Sequence, residues 1–498
     1  MLFRSDNENN AGSVDAGFIT GLGANGTVYS IQLATNGQSL LAGDFTTFNG
    51  VARQNVARIN TDGTLDNGFD AGVISQGTNA PGTVRAIGVY TNGVNANKVV
   101  IGGLFTLVGN AGRTNIARLN VDGTPDTSFD PGTGANNAVN SVAIQNNGRV
   151  LLGGTFTAVN GVPRNFVARL NFDGSVDNTF TPGGGPDAQV RLVAALNDGK
   201  ILIAGDFDSV SGVSNRRIAR LNADGSVDPT FLSRGMVTNG TIYNFALQIN
   251  GQILIAGMFT ATNGAGVVRT NIARLNADGT LDRTFDPGGG PDDFVATLTP
   301  QADGKIVVGG AFANFDGYGR SRLVRLFSNG GVDPTLNIGT GADNLVAALA
   351  IQSDGKILVG GAFTNFNGVV QNRFTRLHGG QNAGSGLVVF GAPLFTVSEA
   401  GTNATIQVLR TGGTSNTISV DYSVIPGGTA IAGVDYLPVG GTLIFNQGET
   451  LRSFVVPVID DAQVRPSRTV FLTLSNATGG ASLDIPPTTV LQIGRAHV

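Results

Sequence analysis

The chain has no cysteine and no tryptophan, and only two histidines, His378 and His497, in 498 residues. Without cysteine there are no disulfides, no thiolate metal site and no cysteine nucleophile. Histidine is the commonest general base and metal ligand, so two isolated copies leave little catalytic material. His378 is expected at the surface, beside a domain boundary. Charged residues make up only 13%, and the net charge of −4 comes with no basic stripe, which argues against nucleic acid or anionic membranes as partners. No run approaches the ~20 apolar residues that span a bilayer. The opening MLFRSDNENNAGSVDAGF has no apolar core of the kind found in a signal peptide.

What is abundant is glycine, 74 residues, alongside 41% hydrophobic residues, a mixture suited to many short strands. Those residues fall into a repeat. NIARLNADGTLDRTF at 271–285 returns as NVARINTDGTLDNGF, NIARLNVDGTPDTSF, FVARLNFDGSVDNTF and RIARLNADGSVDPTF, then as LVRLFSNGGVDPTL. Its arginines, Arg58, Arg118, Arg169, Arg220, Arg274, Arg325 and Arg376, mostly stand 51 residues apart. A fixed period near 50 means one supersecondary unit stacked many times.

Each unit reads alike. A strand ends in Asn-Gly or Asp-Gly, as at Asn36-Gly37 and Asp198-Gly199, which supply the positive φ of a tight hairpin. An unbroken apolar run follows, such as Ile201–Gly205, whose composition predicts burial on both faces. A glycine two before a phenylalanine closes that strand seven times, from Gly43/Phe45 to Gly361/Phe363. The arginine strand, an Asp-Gly turn and a short last strand complete the unit. Three to four antiparallel strands repeated seven times predict an all-β fold, a seven-bladed β-propeller, with an open β-solenoid as the alternative. At the start, Gly12–Phe18 matches the tail of the repeat without its arginine strand, whereas Phe374–His378 has that strand and no tail. The two fragments make one unit, so strand 12–18 is expected to complete the last blade and remove an open edge. The propeller is thereby assigned to residues 1–378.

The pattern of apolar strand, GxF and ARLNxDGxxDxxF resembles the delta-60 repeat, a bacterial β-propeller family of unestablished function, over residues 12–378. Within it, six arginines are followed eight residues later by Asp66, Asp126, Asp177, Asp228, Asp282 and Asp333. Each pair straddles a turn and can face across a hairpin as a bidentate ion pair. Arg376 has no such aspartate, and Asp15 can complete it. Reading Asn276, Asp278 and Asp282 as calcium ligands is the weaker alternative, because Asp-Gly already explains itself as a turn. No carboxylate pair stands out for glycoside chemistry. The glycine runs at 183–185 and 288–290 precede no helix, so they are turns rather than phosphate cradles. We expect no enzyme activity.

Residues 379–389 begin with GGQNAGSG and read as a flexible linker. Beyond it the period stops, and alternating strands at 404–409, 418–422, 442–445, 454–458 and 470–474 indicate an immunoglobulin-like sandwich over 390–493. FTVSEAGTNATIQVLRTGG, GTAIAGVDYLPVGGTLIFNQGET and TVFLTLSNATGGASL resemble a Calx-beta domain. That resemblance implies calcium ligands at Glu399, Asp435, Asp460 and Asp461, in a site weakened by Arg465 and Arg468. Calcium is thus the one candidate cofactor. The last residues, Ile493–Val498, match a translated sequencing adapter, so 494–498 are expected to be a non-native tail.

Together these features suggest a non-catalytic binding, adhesion or display module of a bacterial secreted or cell-surface protein, with a protein or glycan partner. The extracellular placement is implied by the resemblance alone. The alternatives are a glycan-active propeller enzyme and a purely structural stalk of a larger adhesin.

Overall fold

Asn-Gly and Asp-Gly turns separated by short apolar runs build seven three-stranded antiparallel sheets in the computed structural model, with smaller hairpin sheets beside most of them, followed by a sandwich. Residues 11–77, 80–233, 236–264, 266–379, 386–411, 417–446, 449–460, 466–484 and 486–494 are described. The fold is all-β, with a single 3₁₀ turn at Gly93–Asn95 among these residues. No helix among them is long and apolar enough to cross a membrane.

Each blade contains three principal strands. In the first, Val28–Leu33 is innermost, Ser39–Gly43 is central and Val56–Ile59 carries the arginine. The fourth strand anticipated from the repeat is reduced to one bridging pair, Ile59 with Leu65, and the same reduction occurs at Leu119–Pro125, Leu170–Val176, Leu221–Val227, Leu275–Leu281 and Leu326–Val332. The Asp-x-x-Phe segment turns away at once to reach the neighbouring blade, so the ladder stops there. In the last blade the equivalent pair is Val14 with Leu377. Gly12 N–H donates to the His378 carbonyl and His378 N–H to that of Ser13.

The central apolar runs are buried along their whole length, as at Ile201–Gly205 and Ile306–Gly310. They lie between faces of adjacent blades, and the core is divided accordingly into seven clusters, each spanning two successive blades. One of them joins Leu358 and Phe374 of the last blade to Val28, Leu41 and Phe45 of the first. The innermost strands pack in sequence order, and Val28–Leu33 also packs on Val346–Ile351. The ring is therefore closed. Gly43 and its counterparts serve the pairing inside each blade, because a Cβ at Gly43 would collide with the Thr27 carbonyl beside the paired innermost strand.

The C-terminal domain pairs a four-stranded and a five-stranded sheet. Its strands run longer than the sequence pattern marks, for example Asn403–Thr411, Ile418–Ile425 and Arg468–Ser475, and the last, Thr488–Gly494, includes one residue assigned to the tail. Leu387–Phe390, Leu394–Ser398 and Ser482–Leu483 add strands that the alternation missed. Leu387–Phe390 is buried throughout and so shows no period of two. Residues 380–385 of the linker and 495–498 of the tail lie outside the described residues.

Candidate functional site

The repeating arginines and aspartates are buried or half-buried, and paired. Arg118 Nε donates to Asp126 Oδ2 at 2.7 Å, and Arg58–Asp66, Arg169–Asp177, Arg220–Asp228, Arg274–Asp282 and Arg325–Asp333 repeat the contact at 2.6–2.7 Å. Arg376 makes it to Asp15 at 2.8 Å. Each guanidinium also reaches the next blade, which the sequence does not announce. Arg118 donates to the Phe172 carbonyl, Arg169 to that of Ala223, Arg220 to that of Ala277 and Arg274 to that of Ser328. Arg376 donates to Thr61 of the first blade, so these links form a circle. In most blades the Phe of Asp-x-x-Phe lies against the same guanidinium, as Phe129 does at 4.8 Å from Arg118.

These aspartates are structural. For Asp15, burial alone would raise the carboxyl pKa, but the Gly17 amide, Arg376 and Lys356 outweigh it and hold the group below the usual aspartate value. The alternative calcium ligands are engaged likewise. Asn276 bonds Thr280, Asp278 accepts from the Thr280 amide, and Asp282 takes Arg274, Gln252 and Thr284. His378 departs from the surface position expected of it. Its side chain is half-buried in the closing blade, with Nε2 3.9 Å from Asp15 Oδ1, because the N-terminal strand covers it.

In the sandwich, Glu399 and Asp435 are buried and Asp460 is exposed. Asp435 Oδ2 accepts from the Ile431 amide at 2.6 Å and from Arg468 Nη1 at 2.9 Å. A guanidinium thus occupies a carboxylate that the family pattern gives to a cation. Among the described residues no three acidic or histidine side chains are grouped to hold a metal, and Asp461 and Arg465 fall outside those residues.

The ring has a third feature. Every innermost strand carries a β-bulge opposite the end of its central apolar run, and a bulge re-aims one side chain. The bulged residues are Tyr29, Arg85, Asn140, Arg191, Tyr243, Ala296 and Ala347, and all seven line one cavity of about 740 Å³ at the axis. The residue after the strand-closing glycine varies in step, being Asp44, Leu104, Thr155, Asp206, Met258, Ala311 and Ala362. Five blades present polar or aromatic groups at the bulge, and the other two present alanine at both positions.

The polar side is held in place. Tyr29 Oη donates to Asp44 Oδ2 at 2.6 Å, and burial followed by this carboxylate pushes the phenol pKa up. Arg85 Nη1 donates to Asn140 Oδ1 at 2.8 Å. Arg191 grips Asp206 with bonds of 2.8–3.2 Å, while Gln189 and Thr241 complete the same carboxylate. Burial raises Asp206, and Arg191 with Gln189 more than offsets it, leaving the group lowered. Tyr243 packs edge-on against Phe294 at 5.6 Å. Sequence reading missed this set because each member is one residue per blade and no single type runs through all seven. Its signal is variation at a fixed offset within an otherwise repeating text.

A second cavity, of about 550 Å³, lies between the fifth blade and the sandwich, where Asn250 donates to Asp484 at 2.6 Å. Phe390, Pro393, Leu394 and Pro487 make its sandwich wall largely apolar.

Comparison with known proteins agrees with the two-part architecture. The profile described as "Domain of unknown function (DUF5122) beta-propeller" matches residues 35–69, 97–129, 145–180, 196–231, 248–285, 301–336 and 352–379. The Calx-beta domain profile matches residues 382–495. Sodium/calcium exchanger 1 of Canis lupus familiaris is 33% identical over 88 residues, 18% of this chain and 9% of the exchanger. The chain therefore spans less than a tenth of that relative's length. Among solved structures, the apo form of the Calx CBD1 domain is 29% identical, covering 22% of this chain and 97% of its own, with a TM-score of 0.22. A gluconolactonase from Xanthomonas campestris covers 68% of this chain and 93% of its own, at 13% identity and a TM-score of 0.35.

Proposed function

For a chain that is a DUF5122 β-propeller over residues 35–379 followed by a Calx-beta domain over 382–495, we propose a non-catalytic binding role at a bacterial cell surface or outside the cell. The propeller is the platform, the axial cavity its binding site and the sandwich its connection to a larger assembly. One observation carries this reading. Within a text that otherwise repeats, the seven bulged positions carry four residue types, Tyr, Arg, Asn and Ala, and they converge on one cavity. Variation concentrated there is what recognition of an asymmetric ligand requires, whereas a stalk needs none.

The absence of catalysis belongs to the same proposal. The cavity's charged residues are Asp44, Arg85 and Arg191, and Asp44 is the single carboxylate in its lining. Glycoside hydrolysis ordinarily takes two carboxylates flanking the bond. Calcium, if it binds, does so at Glu399, Asp435, Asp460 and Asp461, against the opposition of Arg468. The test is to present the full chain to arrays of glycans and cell-surface proteins, with a parallel assay for reducing-end release. Retention of a ligand without turnover is expected. Turnover abolished by one aspartate substitution would reverse the reading in favour of a glycan-active enzyme, and no retention by either array would favour a stalk.

A further inference from the structure

We propose that the axial cavity binds an anionic saccharide, a chain end bearing a uronic-acid carboxylate, with Arg85 as the carboxylate's partner. This deepens the binding role proposed above and rests on it.

The charge argument comes first. Arg191 is neutralised by Asp206. Arg85 projects into the cavity and bonds only the neutral amide of Asn140, and it forms no ion pair among the described residues. The lining's one carboxylate, Asp44, is already engaged by Tyr29, so Arg85 is the lining's cation without a carboxylate partner. A guanidinium placed in this way attracts an anion, and its planar fork matches a carboxylate with two parallel bonds.

The remaining groups favour a sugar ring over a peptide end. Tyr29 and Tyr243 supply aromatic faces, the latter fixed by Phe294. Asp44 and Asn140 are planar polar groups in hydrogen-bonded positions, suited to vicinal hydroxyls. Alanine at 296, 311, 347 and 362 leaves the opposite side without obstructing side chains. The ligand's acid end sits toward Arg85, and its chain leaves over the alanines. At about 740 Å³ the cavity is of the size that encloses a small ligand.

Titration calorimetry of the full chain with trigalacturonate, its carboxyl-reduced neutral counterpart and a short acidic peptide tests this. Trigalacturonate should bind, with affinity falling as salt rises, and the other two should bind at least tenfold more weakly. Arg85→Gln, at an exposed position, should weaken trigalacturonate binding by about 10- to 100-fold, the loss of a charged hydrogen-bonding partner. Ala347→Trp, which fills the open side, should abolish it while the thermal midpoint is retained. Equal binding by Arg85→Gln, or by the carboxyl-reduced sugar, would overturn the proposal, as would preference for the peptide. Retention of a neutral glycan or a protein by wild type and Arg85→Gln alike would overturn the anionic-sugar assignment and leave the platform role standing. No binding of any probe, glycan or protein, would overturn both.

Discussion

Arg376 Nε donates to Asp15 Oδ2 at 2.8 Å although 361 residues separate them in sequence. Six other arginines make the same contact to an aspartate eight residues away. The last blade is thus chemically equivalent to the others, and only its connectivity differs. Asp15 does for the ring what Asp126 does for one blade.

Replacing Asp15 should therefore cost as much as replacing an interior partner. Asp15→Ala leaves the Arg376 guanidinium, 8% exposed, without its carboxylate. Stranding a buried charge costs about 3–5 kcal/mol. Denaturant unfolding should show Asp15→Ala and Asp126→Ala destabilised alike. A loss at Asp15 below about 1 kcal/mol, beside a full loss at Asp126, would mean that the N-terminal strand does not seal the ring.

Acid should loosen the propeller in a defined window. Asp15, Asp66, Asp126, Asp177, Asp228 and Asp333 all titrate below the ordinary 3.8 in the folded chain. In each, burial opposes ionisation and hydrogen bonds or charges from arginine, lysine, threonine, serine or backbone outweigh it. The unfolded chain then binds protons more readily, so the stabilisation is complete above about pH 4 and is lost as pH falls through the lowered folded values. The thermal midpoint followed by circular dichroism should stay level from about pH 7 to 5 and drop steeply below 4. A midpoint at about pH 2.5 equal to that at 7 would refute this account.

Gly12 should tolerate no side chain. Its φ is +89°, and a Cβ would lie 2.5 Å from the Asn337 carbonyl oxygen of the preceding blade. Gly123 is alike, with φ +91° and Asp70 backbone within 2.6 Å. Gly12→Ala and Gly123→Ala should each lower stability by at least roughly 1–2 kcal/mol from the left-handed backbone alone. Gly184→Ala, with no atom within 4 Å of its Cβ, should stay near wild type in the same melts.

Removing Arg468 should make the sandwich respond to calcium. In Arg468→Ala the Asp435 carboxylate loses its 2.9 Å cation, and a divalent ion can take that place. Differential scanning calorimetry should find the wild-type transition little moved by millimolar calcium and that of the variant raised. Calcium at a hundredfold over its dissociation constant would contribute about 2.7 kcal/mol. No response in the variant would show that Glu399, Asp435 and Asp460 do not make a site.

Much of the ring was legible because its determinants are local and repeated. Asp-Gly turns, GxF closures and the eight-residue Arg–Asp spacing all fall within one unit. The pairing of Asp15 with Arg376 was legible for the same reason, since each fragment lacks what the other has. What remained hidden depends on neighbours. The reach of Arg118 to the Phe172 carbonyl crosses 54 residues to an atom that every residue type possesses. The bulge that turns Tyr29, Arg85 and Tyr243 toward the axis is a register shift, and register leaves no mark on composition. Strand Leu387–Phe390 shows no alternation because both of its faces are covered. The position of His378 was misjudged because it depends on the N-terminal strand laid over it.

The shared last blade also orders folding in time. Six blades hold their arginine–aspartate pairs through short hairpins, and each can pack as soon as the next blade has left the ribosome. The seventh must wait for chain synthesised some 360 residues after its first strand. Joining ends that far apart costs about 5 kcal/mol in loop entropy for an unstructured chain, against about 2 for an eight-residue span. Six finished blades remove most of that cost by carrying Ser13–Phe18 to within reach of Phe374–His378. Sealing the ring is then the final event, and until it happens one strand edge at each end stays open to other chains.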